Sequence, residues 1–240
     1  MFLTGTLLNV AAVLIGTTIG LLVGARMPAR LQQTLTDGLG LFSLVIGLTL
    51  ALQFTLTDGR PAGEQLGVLA ALLVGATVGE LLRLSDRLDA LGDWFQRRLA
   101  RGEQPSRVSE GFVTASLVFC VGPLTILGSI QNGLTGDIQL LSVKSLLDGV
   151  ASVAFAAALG AGVYLSALTV LVVQGAIALA AWLFGAGLDQ SAVDAASAVG
   201  GILLMGVGLR LLEIRHIRVA NFLPALLLAP LFVWAVNALS

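Results

Sequence analysis

The chain has 240 residues, 57% of them hydrophobic and 11% charged, with a formal net charge of −1. A soluble domain carries roughly 25% charged residues, so most of this surface does not meet water, and no basic field points to nucleic acid. One cysteine (Cys120) and one histidine (His216) exclude an internal disulfide, a cysteine-built zinc site and a His-rich metal site, and no Gly-rich loop ending in Gly-Lys-Ser/Thr offers a nucleotide site.

A bilayer core of ~30 Å takes about 20 mainly apolar residues per helix. Eight segments meet that length: Leu3–Gly24, Gly38–Leu56, Gln65–Leu82, Ser109–Ile130, Gln139–Tyr164, Ser166–Phe184, Ala195–Leu212 and Ala220–Leu239. The fold class is therefore all-α, a polytopic transmembrane helical bundle of about eight spans. The first segment has no early Lys or Arg, which a secretory signal needs, so it is expected to stay as a helix. The chain reads as one membrane domain, 1–240. Three spans occupy 1–84, a polar linker fills 85–107, and five spans occupy 108–240. In the linker, Leu84, Leu88, Leu91, Phe95 and Leu99 recur at helical spacing among charged residues, as in an amphipathic helix lying on a membrane surface.

Basic residues favour the cytoplasm. Arg26 and Arg30 follow the first span, Arg83 to Arg107 the third, and Arg210, Arg215 and Arg218 the seventh. Eight spans put all of these on one side, with both termini periplasmic. Glu80 and Glu213 lie next to Arg83 and Arg215 and read as interfacial ion pairs.

Gly16, Gly20 and Gly24 share one helix face, Gly75 and Gly79 repeat the spacing, and Gly200, Gly201, Gly206 and Gly208 cluster in the seventh span. Such faces let helix backbones approach closely, within a chain or in a homodimer. Gly5 and Gly16 recur at the same offset as Gly111 and Gly122, three spans later, the pattern of an inverted repeat.

The fourth span carries Gly122 and Pro123, which remove helix propensity and a backbone donor. Thr125, Ser129, Gln131 and Asn132 follow at once. A broken span in lipid frees backbone groups that must be buried in protein or line a wet cavity, and broken helices form transporter sites; a plain proline kink is the structural alternative. Lys144 and Asp148, four residues apart on one face of the fifth span, read as a solute or ion site, as a structural ion pair, or as a lysine that snorkels to the outer surface. Gln174 lies mid-span. Asn9, Gln53, Asn221 and Asn237 read as single interhelical hydrogen bonds. Gly122, Pro123, Thr125, Ser129, Gln131, Asn132, Lys144, Asp148 and Gln174 make up the expected solute-binding set.

The order Cys120-Val-Gly-Pro, Ile126-Leu-Gly-Ser-Ile130, Gly133-Leu-Thr-Gly-Asp137, Lys144-Ser-Leu-Leu-Asp-Gly149, Gln174-Gly175 and Asn221-Phe-Leu-Pro-Ala225, with Gly5-Thr-Leu-Leu-Asn9 at the start, resembles the YqgA-type family of bacterial inner-membrane proteins over nearly the full length. The resemblance implies the bacterial plasma membrane and, through the label the family carries, transport; it supplies no ligand residues. The leading expectation is a gradient-driven transporter or channel for a small polar solute or ion, surrounded by membrane lipids and without a cofactor. A non-transporting sensor or interaction partner, docking through 85–107, is the alternative. An enzyme is not expected, because His216 falls at the cytoplasmic surface and Cys120 well inside a span.

Overall fold

A computed structural model describes residues 3–56, 61–88, 90, 105–120, 123–184 and 190–239. Nine helices cover most of them: α1 (Thr4–Gly24), α2 (Ala29–Thr55), α3 (Ala62–Leu81), α4 (Pro105–Cys120), α5 (Pro123–Thr135), α6 (Gln139–Leu159), α7 (Val163–Phe184), α8 (Gln190–Leu211) and α9 (Leu223–Leu239). There is no strand among the described residues. Prolines mark several starts. Pro61 precedes α3, and Pro105 and Pro123 open α4 and α5, where the missing N–H has no intrahelical partner to lose. The amphipathic stretch expected at 85–107 lies largely outside the described residues; 84–88 is helical.

Among the described residues, six helices are long and apolar enough to cross a membrane, seven if α4 and α5, whose axes differ by 60°, form one span. One of the six is the 45-residue run Gln139–Leu183. Straight, it would reach about 68 Å at 1.5 Å per residue, more than twice the ~30 Å apolar core. It is not straight. Along α1, Gly5, Gly16 and Gly24 lie against Leu141, Gly149 and Ala157 of α6, so those two helices run parallel. Leu3 lies beside Gly175 and Thr18 bonds Tyr164, so α7 runs antiparallel to α1. The run reverses at Gly160–Gly162, with Gly160 at φ 83° and ψ −158°, a conformation open in practice only to glycine. This reversal separates the six-or-seven count from the eight passes expected. It falls at Gly160, ahead of the boundary expected between Tyr164 and Ser166, because only glycine accepts that turn.

The chain packs as two compact units. One holds α1, the start of α2 up to Leu39, and α4 to α7; the other holds α2 from Gly40, α3, α8 and α9. In the first unit, the start of α1, the end of α5 and the start of α6 share one end, because Gly5 and Gly128 both press on Leu141. The opposite end holds the finish of α1, followed by Arg26, together with the start of α4 and the α6–α7 turn, where Gly162 meets Val108. The α4–α5 pair follows α7 along this length: Ser116 bonds Thr169 and Gly133 meets Ala178. The fourth span thus traverses the unit with a break, α4 ending at Cys120 and α5 opening at Pro123.

In the second unit, α3 and α9 are antiparallel, with Gly63 against Val236 and Gly79 against Asn221. Gly47 and Gly201 bring α2 and α8 to backbone contact. Glu80 differs from the sequence expectation: its partners are Arg218, at 3.2 Å, and the Asn221 amide rather than Arg83. Arg83 closes the helix with φ 50°, and the Ser85 N–H just beyond donates to Asn221 Oδ1. Glu64 is buried and accepts from Asn237.

The glycine faces are occupied inside the chain. A Cβ at Gly16 or Gly20 would fall within the van der Waals shell of the Gly149 or Val153 carbonyl oxygen, whereas Gly38 has nothing within 4 Å. Gly16→Ala is therefore expected to destabilise the protein by about 1–3 kcal/mol through overpacking. Gly38→Ala, in an open helical position, should be neutral or stabilising by up to about 1 kcal/mol. Thermal unfolding of the two variants in detergent compares them; equal effects would refute the close-packing account.

Candidate functional site

The first unit buries two opposite charges. Lys144 and Asp148 lie one turn apart on α6, 5% and 6% exposed, with Nζ 2.6 Å from Oδ2. Four-residue spacing puts both on one helix face, here the face turned to α1. Asn9 of α1 donates its amide to the same Oδ2 at 2.9 Å. Lys144 therefore does not snorkel to the surface; it is held inside the unit by its carboxylate. The i,i+4 pair belongs to a single helix, and Asn9 is the cross-helix contact that ties it to α1.

The cluster has unused hydrogen-bonding capacity. An ammonium has three N–H donors, and Lys144 uses one among the described residues. Both donors to Asp148 share Oδ2; Oδ1 accepts none among the described residues. Asn9 Oδ1 is also buried without a partner there. Buried polar groups are normally paired, and each exception calls for an account such as a ligand or water. Phe119 at the end of α4 packs on Phe155 of α6, and Gly128 of α5 meets Leu141, so α4 and α5 lie along the stretch of α6 that carries the pair.

The other expected residues divide by role. Thr125 donates to the Phe119 carbonyl at 2.9 Å, satisfying a group that the break in the helix frees. Asn132 accepts the Gly5 N–H at 3.2 Å, one of the donors left over at the start of α1; its own amide nitrogen has no partner among the described residues. Gln131 bonds Asp137 at 2.8 Å, and Asp137 in turn accepts the Gln139 N–H that opens α6, so Gln131 belongs to the α5–α6 turn. Ser129 and Gln174 are fully buried, and no side-chain oxygen or nitrogen of either has a partner among the described residues. Pro123 opens α5, and Gly122 lies outside the described residues.

Sequence reasoning placed Asn9 among the single interhelical bonds and left it out of the site. It does make such a bond, but to the one buried carboxylate of this cluster. The signal was present: Asn9 shares the helical face of Gly5, Gly16 and Gly20, the close-contact face of α1. Thr6 and Thr17 lie on the same buried face with hydroxyls unpartnered among the described residues. Opposite them, α6 presents Lys144, Ser145, Asp148 and Ser152. Thr6 to Thr17 spans roughly 16 Å along the helix axis, about half the apolar core, so the α1–α6 contact is a polar seam.

Removing one partner of a buried pair leaves an uncompensated charge, whereas replacing both with apolar residues is often near neutral. Lys144→Ala is expected to lower stability by about 3–5 kcal/mol. The double change Lys144→Met with Asp148→Leu should cost less than that single change. Unfolding in detergent reads both, and a double variant as unstable as the sum of the singles would show that the two charges are not coupled.

Residues 4–234 match the family model described as "Protein of unknown function (DUF554)". The chain is 34% identical over 228 residues to the uncharacterized protein YqgA of Escherichia coli (strain K12), covering 94% of each. It is 28% identical over 234 residues to the uncharacterized membrane protein YdfK of Bacillus subtilis (strain 168), covering 98% of this chain and 97% of that one. No solved structure matches the chain.

Proposed function

The chain belongs to the DUF554 family of membrane proteins of unknown function, and on that premise we propose that it is a gradient-driven transporter or channel for a small polar solute or ion. One observation carries this reading: a buried lysine and aspartate, with donors and an acceptor to spare, lie beside a span that breaks at mid-length. An intramembrane charge is costly to insert and is retained where it does work. A structural pair would be expected to use its hydrogen-bonding capacity internally; this one leaves part of it open. The break supplies a helix end and a bend, the parts from which transporter sites are assembled. Asp148, Lys144 and Asn9 would bind the solute, with Ser129, Asn132 and Gln174 as further polar groups of the same unit.

The same proposal places the protein in a bacterial inner membrane with both termini periplasmic. In the first unit Arg26 lies at the end that holds the α6–α7 turn, and Asp137 at the other. In the second unit Arg83, Arg215 and Arg218 lie at the Gly79–Asn221 end, and Glu64 at the other. Among the described residues, the arginines named here lie at one end of their own unit, as cytoplasmic ends do, while Arg60 precedes α3 at the Glu64 end in the sequence.

Two measurements test this. In a thermal-stability screen of detergent-purified protein against ions, amino acids, organic acids and nucleosides, a ligand at about a hundred times its Kd adds ~2.7 kcal/mol. A stabilising compound is expected whose effect vanishes in Lys144→Gln; a compound that stabilises the variant equally removes Lys144 from the site. A reporter fused after Ser240 should read as periplasmic, and a cytoplasmic signal would overturn the orientation.

A further inference from the structure

The charge balance of the first unit limits what its site can take. Lys144 is the one charged group that acts on the Asp148 carboxylate among the described residues. The titratable groups on the helices packed against α6 are few. α1 and α5 carry none, α7 carries Tyr164, which bonds Thr18, and α4 carries Cys120 at the break with Arg107 and Glu110 near its start. The buried site is thus one cation and one anion, with net charge zero.

A metal cation does not suit it. One carboxylate with an ammonium 2.6 Å away places any added cation against a like charge, and no group of three or more potential metal ligands occurs among the described residues. A proton is different, because it neutralises Asp148 in place. Lys144 is then a buried cation without a counterion, a state that low dielectric penalises heavily. An anion beside Nζ removes that penalty. The unpartnered groups of the unit include N–H and O–H donors, Asn132 Nδ2, Gln174 Nε2 and the hydroxyls of Thr6, Thr17 and Ser129, beside the acceptors Asn9 Oδ1, Gln131 Oε1 and Gln174 Oε1.

We propose that the site binds a small monovalent anion at Lys144 together with one proton at Asp148, so that anion and proton move as an electroneutral pair. The proton comes from the solution and converts the carboxylate to the acid. Lys144 stays an ammonium and exchanges Asp148 for the arriving anion. The site is neutral before and after, and each ligand favours the other because either alone leaves a buried charge uncompensated. The inference rests on the transport reading and names its substrate class.

The test is anion binding to the detergent-purified protein in weakly buffered solution with a pH-indicator dye, using sodium nitrate, chloride and formate. Wild type is expected to take up about one proton per anion bound. Its apparent affinity should fall roughly tenfold per pH unit once Asp148 is ionised, as linkage of one proton requires. Asp148→Asn, a fixed mimic of the protonated acid, should bind the anion with no proton uptake and no pH dependence. Lys144→Arg should keep binding, and Lys144→Gln, checked for monodisperse elution, should lose it. Failure of all three salts to bind wild type, binding without proton uptake, or unchanged coupling in Asp148→Asn would overturn the inference. Proton-linked binding in a protein that passes no solute in vesicles would overturn transport and leave the binding inference standing. Solute flux without proton-linked binding would do the reverse.

Discussion

Inside lipid the hydrophobic effect does not press one helix against another, so helices associate through close packing and polar contacts. In this chain the decisive close approach is α1 on α6. Gly16, Gly20 and Gly24 admit the α6 backbone at Gly149, Val153 and Ala157. The parallel alignment of the two helices then brings Asn9 to 2.9 Å from Asp148. Thus residues without functional groups set the geometry of those that have them. A side chain at Gly16 would push the helices apart a few turns away, and the Asn9 contact with Asp148 would lengthen with them. The contact also leaves a seam of hydroxyls and amides between α1 and α6 that lipid would not tolerate on an outer face.

Around the broken fourth span, polar side chains divide between repair and reserve. A break frees carbonyls and amides that must be satisfied internally. Thr125 takes up the Phe119 carbonyl, and Asn132 the Gly5 N–H. Asp137 does the same for the start of α6, with Gln131 holding it in place. These groups make the local backbone viable in an apolar medium. Lys144, Asp148 and Gln174 repair nothing of that kind. Their hydrogen-bonding capacity remains open among the described residues, as does part of that of Gln131 and Asn132. Burial alone would not have drawn the line, since Ser152 is buried too but donates to the Asp148 carbonyl.

Much of this was legible in the sequence, for physical reasons. Apolar length fixes the helical membrane class, and glycine spacing marks the close-contact faces. Gly122-Pro123 announces the break, found between Cys120 and Pro123. The four-residue spacing of Lys144 and Asp148 implies a shared face. What the sequence could not show is which helix a face meets. Asn9 read as a single polar residue until α6 was placed against α1, and the partners of Gln131 and Thr125, Asp137 and the Phe119 carbonyl, have no marker in the sequence. Glu80 has Arg83 nearby in sequence, but α3 ends there in a left-handed turn, and Arg218 is its partner instead. Neighbours along the chain are visible in a sequence; partners across helices depend on packing angles and close approaches that it does not state. The arrangement of the chain as two compact units, with the boundary inside α2, has no marker in composition either, because the helix runs through it without a break.

On the proposed binding of an anion together with a proton, the internal pair also sets how the site opens. Lys144 and Asp148 share one rigid helix, so separating them requires no movement between helices; a rotamer change at Lys144 is enough. An incoming anion competes with a carboxylate held 2.6 Å from Nζ, and its apparent affinity is reduced by the fraction of time the lysine is free. Protonation of Asp148 raises that fraction directly, because it removes the competing charge. Side-chain events at α6 therefore govern occupancy. Between α4 and α5, whose axes differ by 60°, Thr125 donates to the Phe119 carbonyl. Phe119 stacks edge-on against Phe155 of α6, with ring centroids 5.9 Å apart. Phe119 and Phe155 thus form an aromatic contact between the end of α4 and the helix that carries the charged pair.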